Sequence, residues 1–300
     1  MINMDKKILT LIASVLTLTL WSDISKLNVP EGFVIEEYVT EINNPRQMVE
    51  GDDYIFVGTR SAGNVYAVNK LNPDDFIVVL TGMDMPTGVA LKDGDLYVAE
   101  TDAIHILEDI EAKLSNGAQT QSKVMFGDLP RKNMWNPLKK SWHGWKWIDF
   151  GPDGALYISE GVPCNVCDED DKRYGTILRL DNGKLDIFAD GVRNSVGFDW
   201  HPETKEMYFT DNGRDWMGDD IPPCELNRVS LAGNHFGFPF VHGKNIDDDS
   251  FKKPKGFEYE EPVWEFQAHT APLGIKFYTG NSFPERYKNG AFVAQHGSWN

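Results

Sequence analysis

Apolar residues in this chain recur in short runs with an aromatic near the centre, and turn-forming residues set the runs apart. Five runs are variants of one theme: Tyr54-Ile55-Phe56-Val57, Asp95-Leu96-Tyr97-Val98-Ala99, Ala155-Leu156-Tyr157-Ile158-Ser159, Glu206-Met207-Tyr208-Phe209-Thr210 and Ala291-Phe292-Val293-Ala294. Each predicts a strand, and all but the last follow a polar turn of Asp, Gly, Glu, Thr or Lys. Windows with the three-and-four spacing of an amphipathic helix are nearly lacking; residues 109–114 come nearest, and that stretch is short.

The runs begin near 54, 95, 155, 206 and 291. Strand-and-turn units repeating every 40 to 60 residues or so predict the blades of a β-propeller, whereas a β-sandwich does not repeat at this length. The last interval is long enough to hold a diverged copy, around 256–266 or 269–277, which brings the expected count to six. The expected fold is therefore all-β, a six-bladed β-propeller spanning 23–300 as one domain. Because the chain stops straight after the Ala291 strand, a C-terminally truncated last blade is expected.

Residues 141–161 are the most informative stretch. His143 stands ahead of an alternating apolar run (Trp145, Trp147, Phe150), then a Gly151-Pro152-Asp153-Gly154 turn, then a second strand ending at Glu160. That pattern predicts a hairpin with an imidazole at its mouth. In a propeller, loops from successive blades converge on one face, so polar residues ahead of other blade strands become candidates for the same site. These are Gln47, after Asn43-Asn44-Pro45-Arg46, and Arg193 with Asn194, inside Gly191-Val192-Arg193-Asn194. A carboxylate-rich loop, with Asp211, Asp215, Asp219 and Asp220, follows the 206 strand. It lacks the ligand spacing of an EF-hand, so a calcium site here needs backbone carbonyls. Taken singly, Gln47 reads as a surface glutamine, Arg193 as a salt-bridged side chain and the acidic loop as a solvated turn. Taken together on one face, a base, a guanidinium and a cation site point to chemistry on a polar or polarised species.

Charge narrows the partners. A formal net charge of −17 argues against nucleic acid and anionic membranes, which would repel the chain. Lys6 and Lys7 precede an apolar or hydroxyl run over 8–21, the pattern of a signal peptide, so 1–22 is an expected signal peptide or N-terminal anchor. Periplasmic or secreted location follows, with membrane attachment only if the segment stays uncleaved. Export permits a disulfide between Cys164 and Cys167, a local staple that leaves Cys224 free.

Four ordered motifs carry a family resemblance: the run from His143 to the Gly151-Pro152-Asp153-Gly154 turn, Gly191-Val192-Arg193-Asn194, the loop 211–220, and Glu225-Leu226-Asn227-Arg228-Val229 through His235-Phe236-Gly237-Phe238-Pro239. With these the chain resembles the glucose/sorbosone dehydrogenase family, soluble quinoproteins that bind pyrroloquinoline quinone (PQQ) and calcium on a six-bladed propeller. The likeness runs from about 29 to 300 and is nearer the sorbosone-dehydrogenase-like branch.

The resemblance implies oxidation of an aldose, a sorbosone-like sugar aldehyde or a related alcohol, with electrons passed on to an external acceptor such as a quinone or cytochrome. It implies His143 as general base, Arg193 as stabiliser of charge on the quinone oxygen, Asn194 and Gln47 as further PQQ contacts, and the backbone carbonyls of Gly213 and Arg214 as calcium ligands. Two departures stand out. Trp142 replaces the aspartate that precedes the base in the glucose enzymes, and only Gln295-His296-Gly297-Ser298-Trp299-Asn300 stands near the expected carboxylate clamp. A calcium-dependent propeller lactonase or other hydrolase, and a non-catalytic glycan- or protein-binding propeller, are the alternatives.

Overall fold

The computed structural model describes residues 24–131 and 142–298. The expected export segment, Ser141 at the start of the hairpin stretch, and Trp299 and Asn300 lie outside the described residues. The chain divides into two compact units, one ending at Tyr38 and one starting at Val39. In the first, the described residues form a 3-10 turn, Ile24–Lys26. The second carries the sheets.

Strands β1 (Pro45–Glu50), β2 (Tyr54–Thr59), β3 (Val65–Asn69) and β4 (Phe76–Leu80) form an antiparallel meander in chain order. A second follows with β5 (Gly88–Lys92), β6 (Asp95–Ala99), β7 (Ile104–Leu107) and β8 (Lys123–Phe126), and the short helix α1 (Ile110–Ser115) lies between its last two strands. The third is β9 (Ile148–Phe150), β10 (Leu156–Glu160), β11 (Thr176–Asp181) and β12 (Lys184–Asp190). In the fourth, β13 (Phe198–Trp200), β14 (Met207–Asp211) and β15 (Cys224–Val229) are followed by a small inserted hairpin, β16 (Val241–His242) and β17 (Ile246–Asp247), before β18 (Trp264–Phe266) completes the sheet. Finally β19 (Pro272–Phe277) pairs with β20 (Ala291–Gln295).

Four-stranded meanders placed one after another are propeller blades. All five predicted strand runs are found, each as the second strand of its sheet: β2, β6, β10, β14 and β20. Among the described residues the last interval holds no separate sixth blade. Its two candidate segments are β18, the outer strand of the fourth blade, and β19, the partner of β20. The last interval is long because the β16–β17 hairpin and its loops are inserted inside the fourth blade. The described residues thus form four complete blades, the inserted β16–β17 hairpin and the two-stranded β19–β20 sheet.

Burial on both faces explains why β2, β6, β10 and β14 read as apolar runs, whereas β20 is mostly exposed. Successive side chains of a strand point to opposite faces, and on β6 and β10 each face meets a neighbouring blade. On β6, Leu96 and Val98 pack with Phe56, Val65 and Val89, whereas Tyr97 and Ala99 pack with Ile148, Ile158 and Leu178. On the third blade, Leu156 and Ile158 face back to that second cluster, while Tyr157 and Ile177 face forward to Phe198, Met207 and Phe209.

Gln47 lies within β1, not ahead of it, and is 4% exposed. Its Nε2 donates to the Ile148 carbonyl at 2.6 Å, and its Oε1 accepts from the Ile148 N–H at 3.1 Å and the Val89 N–H at 3.2 Å. One side chain therefore ties β1, β5 and β9 together. Gln47→Leu strands three buried backbone groups and is expected to lower the unfolding free energy by roughly 3 kcal/mol, read from the urea midpoint.

Candidate active site

In an antiparallel meander the start of the first strand and the end of the second share one rim. His143 and Arg193 each stand five residues ahead of a first strand, β9 and β13, and so reach this rim together. The end of β10 joins them. Val162 accepts a hydrogen bond from His143 Nδ1 at its carbonyl (2.9 Å) and donates its N–H to the Arg193 carbonyl (3.0 Å). Gly161 makes the approach possible, because a Cβ there would stand 2.5 Å from His143 Cβ and 2.7 Å from the His143 carbonyl oxygen.

The Val162 carbonyl can only accept, so Nδ1 carries the ring proton and Nε2 is left as the basic nitrogen. This carbonyl orients the ring in place of a carboxylate. Trp142 is an exposed indole whose ring is edge-on to the imidazole at 6.2 Å. The His143 backbone is held at φ 55°, a conformation that non-glycine residues seldom adopt. Burial, reinforced by the positive charge of Arg193, pushes the imidazole pKa down to about 3, so the ring is neutral at physiological pH.

Arg193 is 4% exposed and its guanidinium is held from three directions. Nε donates to the Asn165 carbonyl (2.8 Å), Nη2 to Asn165 Oδ1 (2.9 Å) and Nη1 to the Asn212 carbonyl (2.9 Å), and Asp215 lies 3.6 Å from Nη2. Its main chain is fixed as firmly. The two Asp211 oxygens accept from the N–H groups of Arg193 (2.7 Å) and Asn194 (2.6 Å).

Asp211 stands directly opposite Glu225 in the β14–β15 register, and both are buried. Burial raises both carboxyls above the ordinary range, and the Asp211 charge raises Glu225 further. With Arg193, Asn212, Gly213 and His242 they line a cavity that Phe236 and Phe238 close. Three buried amide oxygens, Asn194 Oδ1, Asn212 Oδ1 and Asn227 Oδ1, find no donor among the described residues. Two buried carboxylates, with the donor-free Asn212 Oδ1 next to Gly213, form a donor set that suits a hard cation. Asn194 Oδ1 lies 3.2 Å from the Cβ position of Gly161, beside His143, where a polar ligand could satisfy it. The residues present therefore fit both groups that the family resemblance implies. Gln47 is the exception among the sequence-derived candidates, since both ends of its amide are engaged by backbone. The Arg214 side chain turns away to Asp248.

Cys164 and Cys167 are joined by a disulfide, and Cys224 is free and buried. Among the described residues these two cysteines and Glu169 are the one trio of potential ligand residues within 4.8 Å, but both sulfurs are already bonded to each other. Asp219 and Asp220 are exposed, as expected of a solvated turn. Sequence reasoning missed Gly161, Val162, Asn165 and the grip of Asp211. Only Asp211 had been singled out, and its acidic neighbours disguised it as part of a solvated turn.

Three residues on from His143 begins a buried ion pair, Lys146 Nζ to Glu160 Oε1 at 2.8 Å, with side-chain exposures of 0% and 1%. Burial outweighs the lysine's attraction and raises Glu160 from 4.5 to about 7. Between these values the unfolded chain loses the proton that the folded chain keeps, so this group's contribution to stability falls as pH rises from about 4.5 through about 7. Measured against Glu160→Gln, which lacks this titration, the wild-type urea midpoint is expected to fall between pH 5 and pH 7.5.

Fold and rim together define a β-propeller with an oriented neutral imidazole beside a buried guanidinium and an acidic cavity. The model of the glucose/sorbosone dehydrogenase family matches residues 96–296, and the chain belongs to that family. It is 35% identical over 288 residues to an uncharacterized protein of Borreliella burgdorferi, covering 92% of this chain and 73% of that one. The fold is shared with an AA12 carbohydrate-active enzyme of Trichoderma reesei (TM-score 0.67, 17% identity, 87% of this chain and 75% of that one). It is also shared with the PQQ domain of a pyranose dehydrogenase from Coprinopsis cinerea (TM-score 0.67, 14% identity, 88% and 73%) and with the PQQ-bound aldose sugar dehydrogenase of Streptomyces coelicolor (TM-score 0.58, 19% identity, 81% and 74%).

Proposed function

We propose that this protein is a PQQ- and calcium-dependent dehydrogenase of aldoses, sorbosone-like sugar aldehydes or related alcohols. The observation that carries the proposal is the His143–Val162–Arg193 chain of hydrogen bonds, which sets a neutral base with a free Nε2 beside a fixed cation. When bound, PQQ would accept the hydride and calcium would polarise it.

The chain's own residues account for the rest. His143 Nε2 takes the substrate hydroxyl proton. Arg193, immobilised before substrate arrives, needs no reorganisation to stabilise negative charge through the Nη1 hydrogen that Asn212 leaves over. Asn194 Oδ1 offers the cofactor an acceptor. Asp211, Glu225, Asn212 and the Gly213 and Arg214 carbonyls would hold calcium. A six-bladed ring is the proposed architecture, to which the described residues contribute four blades and the β19–β20 pair. Export is likewise proposed, and the Cys164–Cys167 disulfide supports it. Electrons would leave to an external quinone or cytochrome.

The test is reconstitution of the purified protein with PQQ and calcium, followed by reduction of an artificial electron acceptor with aldoses, sorbosone and simple alcohols. Turnover that requires both additions is expected. No PQQ binding and no turnover would overturn the proposal, and lactone hydrolysis without PQQ would replace it with the hydrolase.

A further inference from the structure

The Cys164–Cys167 disulfide closes a tight turn over Asn165 and Val166. Asn165 is the best-connected polar residue of that turn. Its carbonyl accepts from Arg193 Nε, its Oδ1 accepts from both Arg193 Nη2 (2.9 Å) and the Asp215 N–H (2.9 Å), and its Nδ2 donates to the Asp215 carbonyl (3.0 Å). Residues 28 and 50 positions away are thus gathered onto one side chain.

We infer that Asn165 is a positioning residue, a clamp presented by the disulfide-bonded turn that fixes the Arg193 guanidinium and ties it to the loop following β14. What the clamp serves rests on the dehydrogenase proposal; the clamp itself does not.

The residue type suits the task. The amide oxygen accepts two N–H groups, using both lone pairs, and the NH2 donates one of its two hydrogens to the Asp215 carbonyl; alanine offers neither function, and aspartate accepts but cannot donate. The clamp has two separable halves. The disulfide holds the backbone carbonyl against Nε, and the side chain holds Nη2 and both polar groups of the Asp215 peptide. A buried guanidinium is costly unless its donors are met, so loss of either half lets Arg193 move toward other acceptors or water. The fork of three donors then loses its fixed direction, which is the feature that makes it useful to a developing negative charge.

The test uses the full-length oxidised protein, with Asn165→Ala removing the side-chain half and the Cys164→Ser/Cys167→Ser double variant releasing the backbone half. Without cofactor, Asn165→Ala is expected to speed hydrogen exchange at the Asp215 amide by at least about tenfold. The His143 imidazole, followed by NMR titration, is expected to titrate at higher pH once the nearby cation is loosened. With PQQ and calcium, kcat is expected to fall by roughly 10- to 100-fold with KM little changed. Asn165→Asp keeps both bonds accepted by Oδ1 and is expected to retain most of kcat, which a merely structural role would not predict. Unchanged Asp215 exchange and His143 titration in Asn165→Ala would overturn the inference, and so would an Asn165→Asp loss as deep as that of alanine. If Asn165→Ala does not fold, the disulfide variant and Asn165→Asp decide by the same readouts. Should the wild-type protein show no turnover, the dehydrogenase proposal fails while exchange and titration still judge the clamp.

Discussion

Replacing His143 with glutamine is expected to lower kcat by about 10²- to 10⁴-fold, the range that a positioned general base supplies, while PQQ binding persists. Glutamine approximates the ring's reach without a basic nitrogen, and Gly161 leaves room for it, so the loop ahead of β9 keeps its course. Stopped-flow reduction of bound PQQ, compared with equilibrium binding of PQQ, separates the two effects. Unchanged reduction would remove His143 from the mechanism. In the wild-type protein this base is already neutral well below pH 5, because burial and Arg193 hold its pKa near 3. Loss of activity between pH 5 and pH 7 would therefore have another origin.

Arg193→Met is expected to cost about 3–5 kcal/mol of stability and to cut kcat at least about 100-fold. Methionine fills similar space but leaves the carbonyls of Asn165 and Asn212 without their donors and the carboxylate of Asp215 without its cation. The pH profile distinguishes this variant from one that simply unfolds. With the positive charge gone, His143 titrates at higher pH than in the wild type. The shift is partial, because burial is the larger cause and persists. The acid limb of kcat/KM thus moves up in pH, since protonation of the base abolishes its function. A limb that does not move would mean that the guanidinium and imidazole do not share a site.

The strands were legible because their signal is local. Tyr54, Tyr97, Tyr157 and Tyr208 sit in strands buried on both faces, and that demand is written residue by residue, while Phe292 repeats the pattern on the mostly exposed β20. Blade number was less legible. It was inferred from spacing, and the β16–β17 hairpin stretches the spacing within one blade without adding another. His143 and Arg193 were found because both stand just ahead of a first strand. Gln47 was grouped with them from a similar offset, yet it falls inside β1, where its amide joins three strands across 101 residues of sequence.

The sequence by itself determined the all-β propeller, the family and the two rim residues that carry basic and positive groups, since apolar alternation and loop position are properties of neighbouring residues. Tertiary structure alone decided which nitrogen of His143 is basic, what holds Arg193 and why residue 161 is glycine. Those answers depend on polar atoms about 3 Å apart whose residues are 18 to 50 positions distant, and nothing local in the chain specifies such a meeting.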